Sequence, residues 1–544
     1  MSDNEKSRAL LEKYFDTAFA APEGIKKLRE LILTLAMQGK LVPQDPSDQP
    51  ASELLKEIEA EKRRLVKAGK IREPKPLPEI KPEERPYELP VGWVWVRLCD
   101  VFCLEYGHNL PAEKRSNSGE YPVYGSNGIV GTHNICFVKS PCIVVGRKGS
   151  AGALNLSLTT GCCVTDVAYY SIPPNGIDLH FSFKLFHTIG LERLGKGIKP
   201  GLNRNAAYQL PIAIPPLAEQ HRIVARIDQL MARCDELEKL RTEREAKRLT
   251  VHISALNRLF EAQRNDSFTD AWHFINHHFG ELYSVKQNVT ELRKAILQLG
   301  VMGKLVPQDP NDQPASELLK EIEAEKRRLV KAGKIREPKP LPEIKPDEVP
   351  YALPVSWAWV RLGEISEVNG GFAFKSSKYV NDGVRVVRIS DFDEKGFKNH
   401  KIVRYTFSAD LNIFKLEPNN ILMAMTGGTV GKSLLVKALS EPMVVNQRVA
   451  TIKILSGILP EFVNSLIQTD LIQRVIYTAK NSTNDNISMG DITGFYVPLP
   501  PFAEQKRIVT RIDQFMAMCD ELEHQIDATA SKQSALLSSV MVNI

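Results

Sequence analysis

Cysteine is scarce in this chain, with eight residues in 544, and no two of them form a Cys-x-x-Cys pair. This scarcity argues against a disulfide framework or a zinc site, so we expect reduced thiols in hydrophobic cores. Long apolar runs are also missing: no stretch of about 18 residues could span a bilayer, and the first residues lack a secretion signal. We therefore expect a cytoplasmic protein.

A complete catalytic constellation is missing as well. Residues 426–433 resemble a phosphate-binding loop, but Thr426 stands where the first glycine is required. Residues 499–502 and 214–217 contain Pro-Pro but lack the polar residue that amino-methyltransferases place before it. The pair at 277–278 is two histidines outside any ligand array, so surface or interdomain histidines are expected there. The sequence predicts no catalytic residue and no metal site.

Net charge is small, at +6, but it is unevenly placed. Residues 90–217 contain 11 Lys and Arg against 7 Asp and Glu, and residues 354–502 contain 16 against 13. An excess of positive charge in these two stretches favours a polyanionic partner, because phosphate neutralisation drives non-specific DNA binding. Ordinary surface charge explains so small an excess equally well.

What the chain does contain is repetition. Residues 39–82 recur at 303–346 with one change in 44 positions, Ser47 becoming Asn311. A second motif, Pro-Pro-x-Ala-Glu-Gln-x-Arg-Ile-Val, begins similar blocks at 215–238 and 500–523. Two matching frames therefore enclose two stretches that differ from each other, which indicates a shared partner surface and two different things to recognise.

The frames are predicted to be helical. Apolar residues at steps of 3, 4 and 3 predict one helix over 25–35 and its copy over 289–299. A charged second helix follows in each repeat, and then a proline-rich linker that favours an extended chain.

The blocks at 215–238 and 500–523 each start a long helix. The first helix should be roughly 60 Å long, at ~1.5 Å per residue. The apolar stripe of each helix has heptad spacing, which predicts a seam for pairing or partner docking. We expect the two stripes to pair with each other inside the chain; a dimerising coiled coil is the alternative. The predicted seam residues are Ile223, Ile227, Leu230, Cys234, Leu237, Ile508, Ile512, Phe515, Cys519 and Leu522.

The inserts mix short β-branched runs with glycine turns that contain Arg, Lys, Ser and Asn. The predicted fold class is α+β, with two globular α/β domains separated by long antiparallel, coiled-coil-like helices from internal repeats in a pseudo-two-fold plan. Because Arg and Lys suit guanine edges and phosphates and Asn suits adenine, the turns are candidate DNA contacts; simple tight turns are the alternative. The candidates are Ser126, Asn127, Arg147, Lys148, Lys196, Lys199, Asn203, Arg204 and Asn205 in the first insert, and Lys375, Ser376, Arg385, Arg388, Lys432, Arg448, Lys480 and Asn484 in the second.

The Pro-Pro-x-Ala-Glu-Gln-x-Arg-Ile-Val blocks and the doubled Gly-Lys-Leu-Val-Pro-Gln-Asp-Pro block resemble the specificity subunit of type I restriction–modification systems over nearly the whole chain. The resemblance implies two target recognition domains that read the halves of a split DNA sequence, with an unspecified spacer set by the helices. It implies two modification (methyltransferase) subunits and two restriction subunits as partners. S-adenosylmethionine would then belong to the modification subunit, and ATP with magnesium to the restriction subunit, with no cofactor on this chain. A full helical frame before Trp93 departs from many relatives.

The leading hypothesis is a non-catalytic DNA-reading adaptor; a protein-binding scaffold and a stand-alone methyltransferase are the alternatives. The predicted domains are a helical repeat with linker (1–89), recognition domain 1 (90–214), a long helix (215–262), a connector (263–286), a second repeat with linker (287–353), recognition domain 2 (354–499) and a C-terminal long helix (500–544).

Overall fold

A computed structural model describes residues 19–68, 77–116, 118–196, 201–262, 265–333, 335, 337, 340–480 and 486–542. The chain divides into two compact units. The first comprises Met1–Arg244 together with Ala530–Ile544, and the second comprises Glu245–Thr529. Both long helices therefore have residues in both units.

The first unit contains short helices around a set of short strands. Its helices are α1 (Gly24–Met37), α2 (Ala51–Lys67), α3 (Leu98–Val101), α4 (Leu179–Phe186), α5 (Arg204–Tyr208) and the first part of α6 (Leu217–Glu261). Its strands are β1 (Val94–Arg97), β2 (Glu105–Tyr106), β3 (Tyr121–Gly125), β4 (Gly128–His133), β5 (Cys142–Gly146), β6 (Leu154–Ser157), β7 (Cys163–Val164), β8 (Ala168–Ser171), β9 (Gly195–Lys196), β10 (Gly201–Leu202) and β11 (Pro211–Ile214).

The second unit has a similar order of elements, with additional helices at 265–282 and 470–480. Its helices are α7 (Asn265–His277), α8 (Phe279–Leu282), α9 (Lys286–Val301), α10 (Ala315–Lys331), α11 (Leu362–Ile365), α12 (Pro460–Ile467), α13 (Asp470–Lys480), α14 (Met489–Thr493) and most of α15 (Phe502–Val542). Its strands are β12 (Ala358–Arg361), β13 (Ser366–Gly370), β14 (Tyr379–Val380), β15 (Val384–Val387), β16 (Phe392–Asp393), β17 (Gly396–Phe397), β18 (Val403–Tyr405), β19 (Ile421–Ala424), β20 (Ser433–Leu435), β21 (Met443–Val445), β22 (Val449–Ile454) and β23 (Tyr496–Leu499).

Each insert begins and ends at one antiparallel ladder, which we call its neck. In the first, β1 pairs with β11 and Val94 lies opposite Ile214. In the second, β12 pairs with β23 and Ala358 lies opposite Leu499. Because the chain enters and leaves through adjacent strands, each insert is a globular domain inserted into the helical frame. The necks lie inside the predicted ranges 90–214 and 354–499, whose limits stay predictions.

Beyond the neck the two domains share the topology of one sheet. A four-stranded sheet has the order β2-β8-β5-β6 in the first domain and β13-β22-β19-β20 in the second. The central strands β5 and β19 are buried along their whole length, which explains their continuous apolar sequences. Gly107 and Gly371 occupy the same place, since a Cβ would lie 2.1 Å from the Thr165 carbonyl oxygen in one and 2.3 Å from that of Asn446 in the other.

In each unit the first helix of the frame, α1 or α9, packs antiparallel to a long helix. The Arg29 guanidinium of α1 donates to Asp235 of α6 at 2.6 Å, and the Arg241 guanidinium of α6 donates to the Ala21 carbonyl at 3.2 Å. Residue numbers therefore rise along α1 as they fall along α6. Arg293 of α9 donates in the same way to its counterpart on α15, Asp520, at 2.6 Å.

The predicted seam needs a correction, because the two stripes do not pair with each other. Ile223, Ile227 and Cys234 are buried in a cluster with residues of α1, and Ile508, Ile512 and Cys519 in a separate cluster with residues of α9. Leu230, Phe515 and Leu522 are partly buried on these clusters, whereas Leu237 is 51% exposed. Heptad spacing shows that a stripe needs a helical partner, but not which helix supplies it. The six buried residues are also unavailable for docking another subunit.

The C-terminal part of α6 belongs to the second unit, and the C-terminal part of α15 belongs to the first. Ala255, Leu256 and Leu259, near the end of α6, belong to the second unit's cluster with α9. Leu537, near the end of α15, belongs to a first-unit cluster with Leu31 of α1. Each frame helix is thus covered by the start of one long helix and the end of the other.

Candidate nucleic-acid interface

Five predicted DNA contacts of the first domain come together around one cavity of about 460 Å³. They lie in two turns that are distant in sequence: one follows β5 and the other runs from β10 into α5. Two tyrosines, Tyr106 and Tyr169, complete the wall. We call this cavity the Tyr106 pocket; the predicted contacts that line it are Arg147, Lys148, Asn203, Arg204 and Asn205.

Backbone hydrogen bonds join the two turns. The Leu202 N–H donates to the Arg147 carbonyl at 2.9 Å. The Asn203 side chain accepts from the backbone N–H groups of Asn205 and Ala206 and so caps α5. Because the turns are tied to the sheet and to a capped helix, the side chains between them are held in place on rigid elements.

Two guanidinium groups lie against one aromatic ring in this pocket. Arg147 Cζ is 4.8 Å and Arg204 Cζ 4.7 Å from the centroid of the Tyr106 ring, which are cation–π distances. Arg147 donates to the Asp166 carbonyl at 2.7 Å, and Arg204 donates to the Leu104 carbonyl at 3.2 Å. Within the described residues these bonds go to backbone carbonyls, so both positive charges remain without a carboxylate. The pocket is therefore suited to an acceptor-rich or anionic ligand.

Sequence reasoning missed Tyr106 and Tyr169. Tyr106 is 47% exposed on the edge strand β2, whereas Tyr169 is buried on β8, and the ring centroids are 5.1 Å apart. A lone tyrosine in a short strand is usually a packing residue, and nothing in the local sequence distinguishes these two. Only the pairing of β2 with β8 brings both to the basic turns.

The other candidates of the first domain lie beside this pocket or beyond the description. Ser126 and Asn127 form the turn between β3 and β4, and the Ser150 N–H donates to Ser126 Oγ at 3.3 Å. Lys196 ends β9, but its side chain lies outside the described residues, as does the whole of Lys199.

Arg385 of the second domain is a correction. Its side chain is 3% exposed, and it donates to Asn399 Oδ1 at 3.1 Å and to the Lys398 carbonyl at 2.8 Å. A guanidinium that is buried and hydrogen-bonded inside the domain is not free to contact DNA. Arg385 lies on β15, whose four residues are all buried, so its side chain is enclosed by the protein.

Arg388 is also engaged internally. Two of its nitrogens donate to the Asp391 carboxylate, each at 2.9 Å, and Nη2 also donates to the Lys401 carbonyl. The Asp391 carboxylate neutralises the charge and holds the pKa of Arg388 above its usual value. The structure therefore gives Arg388 a role in holding a loop, and its DNA contact stays a prediction.

The remaining second-domain candidates come from several segments of the chain. Lys375, Ser376 and Arg448 are exposed and Lys432 is half-buried, while the Lys480 side chain and Asn484 lie outside the described residues. The loop-like segment 426–433 links β19 to β20, which are antiparallel neighbours. A phosphate-binding loop would join a strand to a helix, so the second domain lacks that context too.

A buried carboxylate fastens each domain to its long helix. Glu219 is 1% exposed; it accepts from Trp93 Nε1 at 2.9 Å and from Gln44 Nε2 at 2.8 Å. In the second unit Glu504 accepts from Trp357 Nε1 at 2.9 Å and from Gln308 Nε2 at 2.6 Å. Burial raises the pKa of both carboxyl groups. These contacts explain the glutamate of the Ala-Glu-Gln motif, which sequence reasoning treated only as a helix start.

The glutamine of the same motif reaches into the domain. Gln220 accepts from the Asp178 N–H at 2.8 Å and donates to the Pro215 carbonyl at 3.0 Å. Gln505 accepts from the Leu459 N–H at 2.9 Å in the same way. Asp178 and Leu459 precede the helices α4 and α12. Each long helix is therefore hydrogen-bonded to an internal helix of its domain, which fixes the domain's orientation on the frame.

The comparison with known families explains this doubled design. A family model described as the type I restriction modification DNA specificity domain matches residues 90–248 and again residues 354–531. This chain belongs to the type I restriction–modification specificity family. It is a DNA specificity subunit with two copies of the family's domain, and it works as one component of a restriction–modification system.

Relatives of the specificity family match over almost the full length. The chain is 36% identical to the type I restriction enzyme EcoAI specificity subunit of Escherichia coli over 550 residues, which cover 95% of this chain and 93% of the relative. It is 31% identical to the EcoEI specificity subunit of Escherichia coli over 566 residues, with the same two coverages. A crystal structure of the HsdS subunit from Thermoanaerobacter tengcongensis matches 84% of this chain and 98% of its own, at 18% identity and a TM-score of 0.39.

Over the described ranges, no group of three or more His, Cys, Asp or Glu side chains is arranged to hold a metal ion. None of the helices built from those residues is long and apolar enough to cross a bilayer.

Proposed function

We propose that this specificity subunit reads a bipartite DNA sequence, one half with each domain, and that it has no catalytic role of its own. The first domain would contact DNA with the turns around the Tyr106 pocket. The second would use the exposed residues Lys375, Ser376 and Arg448. The helical frames between the domains would set the length of the unspecified spacer.

The observation that carries this proposal is the contrast between equal frames and unequal domain surfaces. Both necks are fastened by the same Trp–Glu–Gln hydrogen bonds, and the strands of one four-stranded sheet follow the same order in both domains. Their basic residues nevertheless fall at different places. A protein that presents two readers in the same way to two different half-sites needs this combination.

The equal frames also support the choice of partners. Two copies of one docking surface suit two modification subunits, and two restriction subunits would complete the complex. S-adenosylmethionine would bind the modification subunit, and ATP with magnesium would bind the restriction subunit. This chain would then supply sequence recognition and geometry only.

Long-read methylation mapping tests the proposal in cells that express the chain with its cognate modification subunit. We expect one methylated motif with two specified halves and an unspecified gap. The purified complex should also bind such a duplex less tightly as salt rises, with a slope of about 0.9 per phosphate neutralised. A continuous motif, or methylation that does not depend on this chain, would exclude bipartite reading.

The two alternatives make opposite predictions. A protein-binding scaffold would give no salt-sensitive DNA binding even with the modification subunit present. A stand-alone methyltransferase would transfer label from S-adenosylmethionine to DNA as the purified chain alone. We expect DNA binding in the first assay and no transfer in the second.

A further inference from the structure

We infer that the Tyr106 pocket contacts the edge of a guanine base, and that the same place in the second domain is built for a different contact. The inference rests on the proposed function and names the residues that distinguish one half-site. It depends on comparing the two domains position by position, which their shared strand order allows.

The aromatic wall is the first difference. Tyr106 lies opposite Tyr169 in the β2·β8 ladder. At the corresponding place in the β13·β22 ladder, Gly370 lies opposite Ala450. The first domain thus has two tyrosines in edge-to-face contact where the second has almost no side chain.

The first arginine is replaced as well. The Arg147 carbonyl, just after β5, accepts the Leu202 N–H at 2.9 Å. Just after β19, the Met425 carbonyl accepts the Ile487 N–H, also at 2.9 Å. Met425 is 9% exposed, so a buried thioether stands where the first domain has a cation.

The second arginine follows the same pattern. Asn203 caps the short helix α5, whose first residue is Arg204. Ser488 caps the equivalent helix α14, whose first residue is Met489. Both arginines of the pocket are therefore methionines in the second domain, although the backbone hydrogen bond at the first position and the cap at the second are retained.

This contrast separates base recognition from phosphate binding. A phosphate contact does not depend on sequence, so two domains of one fold on equal frames would both benefit from it. A contact to a base edge is useful only where that base occurs in the half-site. Replacing all four side chains while keeping the backbone hydrogen bonds and the caps is what different half-sites require.

The chemistry of the pocket favours guanine among the bases. Arg bonds with two nitrogens to guanine O6 and N7, and this is the commonest specific contact in the major groove. Neither guanidinium is neutralised by a carboxylate within the described residues, and their bonds to Asp166 and Leu104 carbonyls leave other N–H groups available. The Tyr106 ring, held against both guanidinium groups, limits their rotation and so fixes their direction.

The test compares arginine variants within the complete complex with the modification subunit. R147K and R204K keep the positive charge but lose the planar guanidinium that can donate to two acceptors at once. R147M and R204M introduce the residue that the second domain has at the same place. K139M/R193M removes two exposed charges of the same domain outside the pocket and is the matched control. Binding and methylation are measured on duplexes that vary each base pair of both half-sites in turn.

We expect one G·C pair in the first half-site to lose its discrimination in at least one lysine variant, by roughly fivefold or more. The second half-site should stay fully specified, which also shows that the variant complex is folded and assembled. The control should bind and discriminate like the wild type.

Two results would overturn the inference while leaving bipartite reading intact. Methionine variants that weaken binding equally on all duplexes, with lysine variants unchanged, would identify a phosphate contact. Variants with no effect on any duplex would show that the pocket does not face DNA. If the wild-type complex itself shows no bipartite motif, the proposed function fails first, and the inference fails with it.

Discussion

One buried carboxylate in each unit helps to hold the domain on its helical frame. Glu219 satisfies the indole N–H of Trp93 and the amide of Gln44, and all three groups lie at the neck. Removing the carboxylate leaves the buried indole N–H of Trp93 without an acceptor, whereas the exposed Gln44 amide keeps its bond to the Gly39 carbonyl. An unsatisfied buried donor costs more than the loss of the hydrogen bond alone.

We predict that Glu219→Ala lowers the free energy of unfolding of the first unit by about 1–3 kcal/mol. Glu504→Ala should do the same in the second unit. Hydrogen exchange, which resolves the two units, measures both effects. Glu236→Ala, an exposed residue of the same long helix, is the control; equal loss of protection in all three variants would contradict the role given to the neck.

A second buried polar pair has no counterpart in the first unit. His252 is fully buried, its ring lies 5.0 Å from that of Tyr283, and neither its nitrogens nor the Tyr283 hydroxyl has a hydrogen-bond partner among the described residues. The two repeat spacings of 285 and 264 residues identify the corresponding positions. His252 corresponds to Leu537 and Tyr283 corresponds to Phe19, and both of these residues belong to one apolar cluster.

Burial lowers the pKa of His252, with Glu291 opposing the shift weakly. Between that lowered pKa and the unfolded value of about 6.5, the unfolded chain binds more protons than the folded one. Stability of the second unit therefore falls as pH falls through this window. Tyr283 and Cys519 also face this region, and burial raises the pKa of both, so neither supplies a negative charge near neutral pH.

We predict that H252L/Y283F, which copies the first unit, stabilises the second unit by about 1–3 kcal/mol and removes most of this pH dependence. Chemical unfolding at pH 7.5 and 5.5 measures both. His524→Leu, at an exposed site on α15, is the control. An unchanged slope with pH in the double variant would refute the assignment to His252.

At the scale of elements, the long helices are continuous where they pass between units. α6 contains 45 residues and α15 contains 41. Residues 235–240 and 242–247 of α6 are exposed throughout. Beyond the bond from Arg241 to the Ala21 carbonyl, residues 242–247 are exposed, so whole turns can be added there, at ~1.5 Å per residue, without taking a buried side chain out of its packing.

We predict that four residues added near Arg244 of α6, matched by four near Thr529 of α15, lengthen the unspecified spacer of the DNA target. Both half-sites should keep their bases. Methylation mapping of the variant checks this, and two residues in place of four, which rotate the helix by about half a turn, should abolish activity. A changed base in either half would refute the separation of spacer from readers.

At the scale of the whole molecule, the two domains should behave as exchangeable parts. Replacing residues 90–214 with the first domain of another specificity subunit should change one half of the methylated motif and leave the other half and the spacer unchanged. The necks make this possible, because both ends of each domain leave through one ladder on the frame. A change in both halves would show that the domains read DNA jointly.

The sequence alone determined the plan of the molecule. Exact repeats and heptad stripes depend only on the order of residues, so they predicted two frames, two inserts and long helices with an amphipathic face. The turns containing Arg147 and Arg204 were also identifiable, because glycine and polar residues mark loops.

Only the tertiary structure decided which partner each element has. The helix that covers a seam, the tyrosines that meet the two arginines, and the burial of Arg385 all depend on contacts between residues far apart in sequence. Such contacts are fixed by how sheets and helices pack, and local spacing carries no record of that packing. The same side chain, an arginine, is therefore half-buried against Tyr106 in one domain and enclosed in the core of the other.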